Sequence, residues 1–220
     1  MKAFVIRKKD DELSEKLSDE CISSASAFGI HVEKFNGVYE NHDQLIETDK
    51  LFPNPTIIKK LRNSYKGCFL SHYLLWKKCI ELNEPFLIFE HDALMINPLP
   101  DEVYHNVDTI LVLDKFSRDN DYENLLNLKF NLKIEKKEKI DVYSSKTMNN
   151  THVAGSHAHL VFPDGARQVI ESIKKYGYVI TDVAINQIYV KYYTIEPTIA
   201  RVNPFFSLGK NRQFSHMKVY

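Results

Sequence analysis

The sequence lacks net charge: 29 lysines and arginines balance 29 aspartates and glutamates, and the pI is about 7.1. No global field therefore draws in nucleic acid or anionic lipid. Cysteine is scarce. Cys21, Cys68 and Cys79 form an odd set without metal-type spacing, which argues against both a disulfide framework and a zinc site. Long apolar runs are missing too. The opening MKAFVIRKKDDE is too short in apolar residues for a signal peptide, and no later segment approaches the length of a membrane span. The expected setting is a reducing cytoplasm. Glycine is absent from Arg7-Lys8-Lys9-Asp10, after the first apolar run, where a nucleotidyltransferase would need a glycine-rich phosphate loop. Internal repeats and low-complexity segments are also lacking.

What remains is a globular composition. A hydrophobic fraction of 44% with 12% aromatics excludes wholesale disorder, and 220 residues suit one generous domain spanning 1–220. The charge is unevenly spread. Residues 10–50 hold eleven acidic against three basic side chains, whereas residues 183–220 hold five basic against one acidic. The basic tail, 203–220, suits a phosphate-bearing ligand, or is a solvated end.

The pattern along the chain is that of an α/β domain. Ala3 to Ile6 reads as a buried strand. Asp10 and Asp11 open an amphipathic helix to about Ala27, with acids where the helix dipole favours them, and Gly29 stops it. Ile30 to Phe35 alternates like a strand. Strand, helix, strand predicts a central, mostly parallel sheet flanked by helices. Residues 36–63 read as a long loop with some helix. A helix from Ser64 to Leu82 places Cys68, His72, Leu75, Trp76 and Cys79 on one buried face. The apolar run Pro85 to Phe89 is a central strand covered on both sides. Thr109 to Leu113 is another strand, ending at Asp114. Residues 117–150 are a lid or an insertion, with Lys129 to Lys139 within it as an exposed hairpin or a mobile lid. A strand from Val153 to Phe162 precedes a helix opened by Pro163-Asp164-Gly165 and reaching Tyr176. A further helix starts at Thr181, and a strand from Tyr192 to Val202 precedes the tail.

The central strand ends in Glu90-His91-Asp92. If strand alternation continues, Glu90 and Asp92 point the same way and share one small volume. Open α/β sheets bind ligands at the carboxyl ends of their strands. Paired carboxylates repel unless a cation lies nearby, and a hard divalent ion, Mn²⁺ or Mg²⁺, would relieve that repulsion. Such an ion could bridge the phosphates of a nucleoside diphosphate. Two solvated acids after a strand are the plain alternative.

Gly67-Cys68-Phe69-Leu70-Ser71-His72, the Trp76 helix and Phe86-Leu87-Ile88-Phe89-Glu90-His91-Asp92, followed by Gly155 to Leu160 and Gly165-Ala166, resemble glycosyltransferase family 25 in order and type. That family includes lipopolysaccharide and lipooligosaccharide sugar transferases and collagen galactosyltransferases. The resemblance touches roughly residues 3–75, 86–95 and 153–190. Three positions depart from the family pattern. His91 replaces the middle acid of E-D-D, Ser64-Tyr65-Lys66 stand where a Gly-Glu pair is usual, and His159-Leu160 stand where a tyrosine is common. The last change implies an altered pocket lining.

The resemblance implies a single-domain GT-A-type nucleotide-sugar transferase that inverts the anomeric centre. A UDP-sugar is the expected donor and a hydroxyl, most often on a surface saccharide, the acceptor. Ile6 and Arg7, at the end of the first strand, are candidates for donor binding, with a surface role as Arg7's alternative. Asp92 is the first candidate for the metal, and Glu90 binds metal or ribose hydroxyls. His91 alters metal affinity or the donor pocket. His157 is a donor or metal ligand, or an interior residue. Gly67 and Ser71 allow close packing against the donor site or serve structure alone. His72 orients the acidic strand, and Trp76 is core. Asp182 is the candidate base, or else stabilises a helix terminus, with Asp114 a weaker rival.

Two other functions fit the residues. A DNA-modifying transferase acting on hydroxymethylated pyrimidines, as a phage would carry, would flip the base and need a basic stripe. Lys59, Lys60, Arg62, Lys66, Lys210, Arg212 and Lys218 are candidates for it. A lapsed site that only binds saccharide or protein is the non-enzymatic alternative.

Overall fold

The computed structural model describes residues 1–38, 63–113, 133–136, 156–176, 181–185 and 190–203. Its first strand dictates much of the rest. β1 (Lys2–Arg7) buries Ala3 and Val5 on one face and Phe4 and Ile6 on the other, so both faces of the sheet need cover.

Helix α1 (Glu12–Ser26) covers the first face. Asp11 caps it, its carboxylate accepting the Ser14 N–H at 3.0 Å, a contact typically worth about 1 kcal/mol. Glu12 and Glu15 occupy the first turn, as the acid-rich start predicts. The helix closes at Gly29, whose φ of 76° disfavours any side chain, while the Ile30 N–H returns to the Ala25 carbonyl at 3.1 Å. β2 (Val32–Asn36) then pairs parallel to β1.

The second face is covered by α2 (Asn63–Leu82) and α4 (Pro163–Tyr176), which pack on each other. In α2 the predicted stripe is buried at His72, Leu75, Trp76 and Cys79, while Cys68 is only half-buried. Trp76 sits in the core beside Phe69 and Phe86. A short helix, α3 (Val103–Asn106), follows α2 in the chain, and α5 (Thr181–Ala184) follows α4.

The main sheet has the order β2-β1-β3-β7-β5-β8-β6, with β3 Phe86–Glu90, β5 Ile110–Val112, β6 Lys133–Lys136, β7 Ala158–Val161 and β8 Tyr192–Glu196. Five of these strands share one direction; β7 and β6 run against them. The α/β fold with a mostly parallel central sheet is therefore present, with one reversed strand inserted between β3 and β5.

One local expectation changes. The single strand foreseen over Tyr192 to Val202 is two. β8 stops before Pro197, which has no N–H to give a ladder, and the chain re-enters as β9 (Ala200–Val202), antiparallel to β4 (Ala93–Met95) in a separate small sheet. Within the segment read as a lid or insertion, Lys133–Lys136 forms the edge strand β6 beside β8, and the rest of 117–150 lies outside the described residues. No helix among the described residues is long and apolar enough to cross a membrane.

Gly165 locks α4 onto the sheet. A Cβ there would stand 2.5 Å from the Thr109 carbonyl oxygen and 2.9 Å from Ile110 Cγ1. That oxygen already accepts the Phe162 N–H at 2.7 Å, so the strand cannot move away freely. Gly165→Ala is expected to lower unfolding stability by about 1–3 kcal/mol through overpacking, read as a lower urea midpoint with an unchanged slope.

Candidate functional site

Topology converges on the carboxyl end of β3. Parallel pairing sets Ile6 of β1 beside Glu90, with Arg7 next in line. β7 runs the other way, so its beginning meets the end of β3, and the Glu90 N–H donates to the His157 carbonyl at 2.7 Å. Ser156 and His157 stand at Glu90 because β7 is reversed.

Glu90 continues the face of Phe86 and Ile88, which looks toward α2. Its Oε1 collects three contacts: His72 Nε2 at 3.0 Å, the Ser156 hydroxyl at 3.1 Å and the Cys68 thiol at 3.5 Å. His72 is fully buried, whereas the Glu90 side chain keeps 26% of its surface exposed, so the carboxylate forms the rim of a buried polar cluster. His72 therefore orients the acid, as its place on α2 suggests. His72 Nδ1 is buried without a hydrogen-bond partner among the described residues.

Behind this rim lies a second imidazole. Trp76 Nε1–H donates to His159 Nε2 at 3.3 Å, and His159 Nδ1 faces the Ser156 carbonyl at 3.1 Å. An indole can only donate, so His159 accepts at Nε2 and carries its proton on Nδ1. Burial, with the neighbouring His72 charge, pushes His159 down to about 3, keeping it neutral. His72 stacks on it with ring centroids 5.3 Å apart. The altered pocket lining expected at His159-Leu160 is not found: both are fully buried, and His159 supports the site from beneath.

The two acids are driven apart. Burial would raise Glu90, but the hydrogen bond and charge of His72, with His157 and His91, hold it well below the usual carboxylate range. Asp92 is raised, by burial first and then by the negative charge of Glu90, against the pull of His91 and His157. The alternation argument does not reach Asp92, however. β3 ends at Glu90, and His91-Asp92 form a turn. Burial pushes Cys21 of α1 up to about 12, and the Asp92 charge adds to the rise. Its carbonyl is held by the Asn203 N–H at 2.6 Å, and the Asn203 amide reaches Glu20 at 2.6 Å.

Arg7 is paired through Nη1 with Glu15, which also holds Lys34 at 3.0 Å; Arg7 Nε is buried and without a partner among the described residues. Ser71 is fully buried, donating to the Gly67 carbonyl at 2.7 Å and accepting the Val38 N–H at 2.8 Å, so it has the structural role. Asp182 lies in α5, next to Thr181, whose hydroxyl is 3.8 Å from the Cys68 thiol. Asp114, Lys59, Lys60, Arg62, Lys210, Arg212 and Lys218 lie outside the described residues. Among the described residues, one group has three metal-ligating atoms within 4.8 Å of one another: Cys68, His72 and Glu90. Sequence spacing could not show it, since its members come from two elements. Of its three residues only Glu90 was a metal candidate; Asp92 and His157 are not in it.

The opposed shifts have opposite consequences for stability. Glu90, depressed, contributes stability that is complete above its ordinary value of 4.5 and is lost as pH falls below it. Asp92, raised, imposes a cost that grows as pH rises above 3.8. Glu90→Gln is expected to flatten the acid-side loss in urea titrations below pH 4.5. Asp92→Asn is expected to raise the melting temperature of metal-free protein at pH 7, by about 2–4 °C per kcal/mol relieved. A lower melting temperature for Asp92→Asn would contradict this electrostatic account.

Over 67 residues the chain is 36% identical to the lipooligosaccharide biosynthesis protein lic2B of Haemophilus influenzae, covering 30% of this chain and 25% of that protein. Over 124 residues it is 27% identical to the lipooligosaccharide biosynthesis protein lex-1 of the same species, covering 52% of this chain and 38% of that protein. The matched stretches thus span well under half of either relative. The family model described as glycosyltransferase family 25 (LPS biosynthesis protein) matches residues 2–188, which include β1, the α2 stripe, Glu90 to Asp92 and the start of β7, and the chain belongs to that family.

Proposed function

We propose that this chain is an inverting glycosyltransferase of GT-A type, acting as one domain, that moves a sugar from a UDP-sugar to a hydroxyl of a bacterial surface saccharide. The observation that carries this reading is the pair Glu90 and Asp92 at the carboxyl end of the central strand, with pKa values driven in opposite directions. Family membership and the lipooligosaccharide biosynthesis names of the two relatives support it.

Ile6 and Arg7 border the donor at the end of β1. Glu90 offers Oε2 to the ribose or a cation, since its three side-chain contacts among the described residues all fall on Oε1. Asp92 is the leading metal ligand, and His157, whose charge acts on both acids, adjoins it with His91. The strain of a second carboxylate beside Glu90 fits a hard divalent cation, Mn²⁺ or Mg²⁺. Bound there, such a cation would neutralise the departing diphosphate. Asp182 takes the acceptor proton, the acceptor oxygen bonds to the anomeric carbon, and the bond to the UDP oxygen breaks with its electron pair leaving on UDP. Support for Asp182 is its place in α5, one residue from a contact to Cys68.

Thermal stabilisation by a panel of nucleotide sugars, with and without Mn²⁺, tests this reading. One UDP-sugar at a hundred times its Kd is expected to add about 2.7 kcal/mol with the cation present, and Asp92→Asn to remove the response. Silence toward every nucleotide sugar, or full biological activity in Asp92→Asn, would count against transfer and for a lapsed binding site.

A further inference from the structure

We infer that Cys68, His72 and Glu90 form a binding site for a thiophilic divalent cation of the zinc class, separate from the hard cation proposed for the donor. Tetrahedral zinc with ligand bonds of 2.0–2.3 Å sets its ligands about 3.3–3.8 Å apart. Cys68 Sγ lies 3.5 Å and His72 Nε2 3.0 Å from Glu90 Oε1, and all three atoms fall within 4.8 Å of one another. The Cys68–Glu90 pair already stands at that separation, and an expansion of a few tenths of an ångström brings the His72–Glu90 pair to it. The spacing that makes this possible is helical: Cys68 and His72 are one turn apart on α2 and both reach the strand end.

Soft sulfur with imidazole and a single carboxylate oxygen selects zinc or cobalt over magnesium or manganese. Three protein ligands leave a fourth position open, and the half-exposed Cys68 and Glu90 put that position at the rim. The Ser156 hydroxyl on Oε1 and the Thr181 hydroxyl beside the thiol form the outer layer. On binding, the Cys68 thiol releases its proton to solvent, and the Nε2 proton that His72 donates to the Glu90 carboxylate is given up as well, so affinity falls in acid. Cys21 and Cys79 do not compete, because both are buried and both thiols are pushed up to about 12.

The inference draws on Oε1 of Glu90, whereas the donor reading draws on Oε2, and the two are separable. Chelator-treated full chain is titrated with Co²⁺ and followed by absorption. One equivalent is expected to produce a thiolate-to-cobalt charge-transfer band that Zn²⁺ erases. Cys68→Ser is expected to abolish the band and weaken Zn²⁺ binding by more than the roughly 10–100-fold that loss of an outer partner costs. Glu90→Gln should weaken it while keeping the band, with circular dichroism confirming that both variants fold. No band in the folded protein, or a band that survives Cys68→Ser, overturns the inference. A Mn²⁺-dependent response to a UDP-sugar without the cobalt band leaves the proposed transfer standing and removes this site. The band in a protein that ignores nucleotide sugars does the reverse.

Discussion

One carboxylate oxygen holds the site together. Glu90 Oε1 is where α2, β3 and the start of β7 meet, through His72, the strand itself and Ser156. A carboxylate withdrawn from water must be met by donors, because leaving a buried charged group unmatched costs several kcal/mol. The arrangement of the neighbours follows. α2 presents Cys68, His72 and Trp76 at successive turns: the first two meet Glu90, and the third fixes His159, whose Nδ1 faces the Ser156 backbone. The polar groups of three elements thus form one network, in which moving any member exposes another.

That network explains why two nearby acids differ. Glu90 has an imidazole at hydrogen-bond distance and keeps its charge; Asp92 has burial and a negative neighbour and resists its own. Such a pair is strained in the resting protein, and the strain is largest where a cation or a diphosphate would relieve it. His159 lies behind the rim, neutral and with both ring nitrogens hydrogen-bonded. The residues suited to chemistry lie on it, half-exposed like Glu90, His91 and Asp92. Stability and ligand readiness are therefore drawn from different layers of the same cluster.

Much of this was legible in the residues. The β1 run, the Asp11 cap, the Gly29 stop, the buried stripe of α2 and the apolar β3 run are local signals, and each formed the element it signalled. The acids at the strand end and the orienting His72 were legible for the same reason: a strand followed by charge, and a histidine on a buried helical face. Less legible was anything that depends on where a strand goes next. Tyr192 to Val202 reads as one strand because both parts are apolar, yet they belong to different sheets. His159 reads as pocket lining because its partner, Trp76, is 83 residues away.

The sequence by itself determined most of the elements, their buried faces, the carboxyl end of β3 as the place for chemistry and, through ordered motifs, the family. Periodicity and capping act over a few residues, so a linear reading can see them. Only the tertiary structure decided that β7 runs against β3, which brings Ser156 and His157 to Glu90. It also decided that β3 ends at Glu90, with His91 and Asp92 in a turn, and that Cys68 joins His72 and Glu90. Those outcomes depend on strand direction and on packing between distant segments, which leave no mark in the spacing of neighbouring residues.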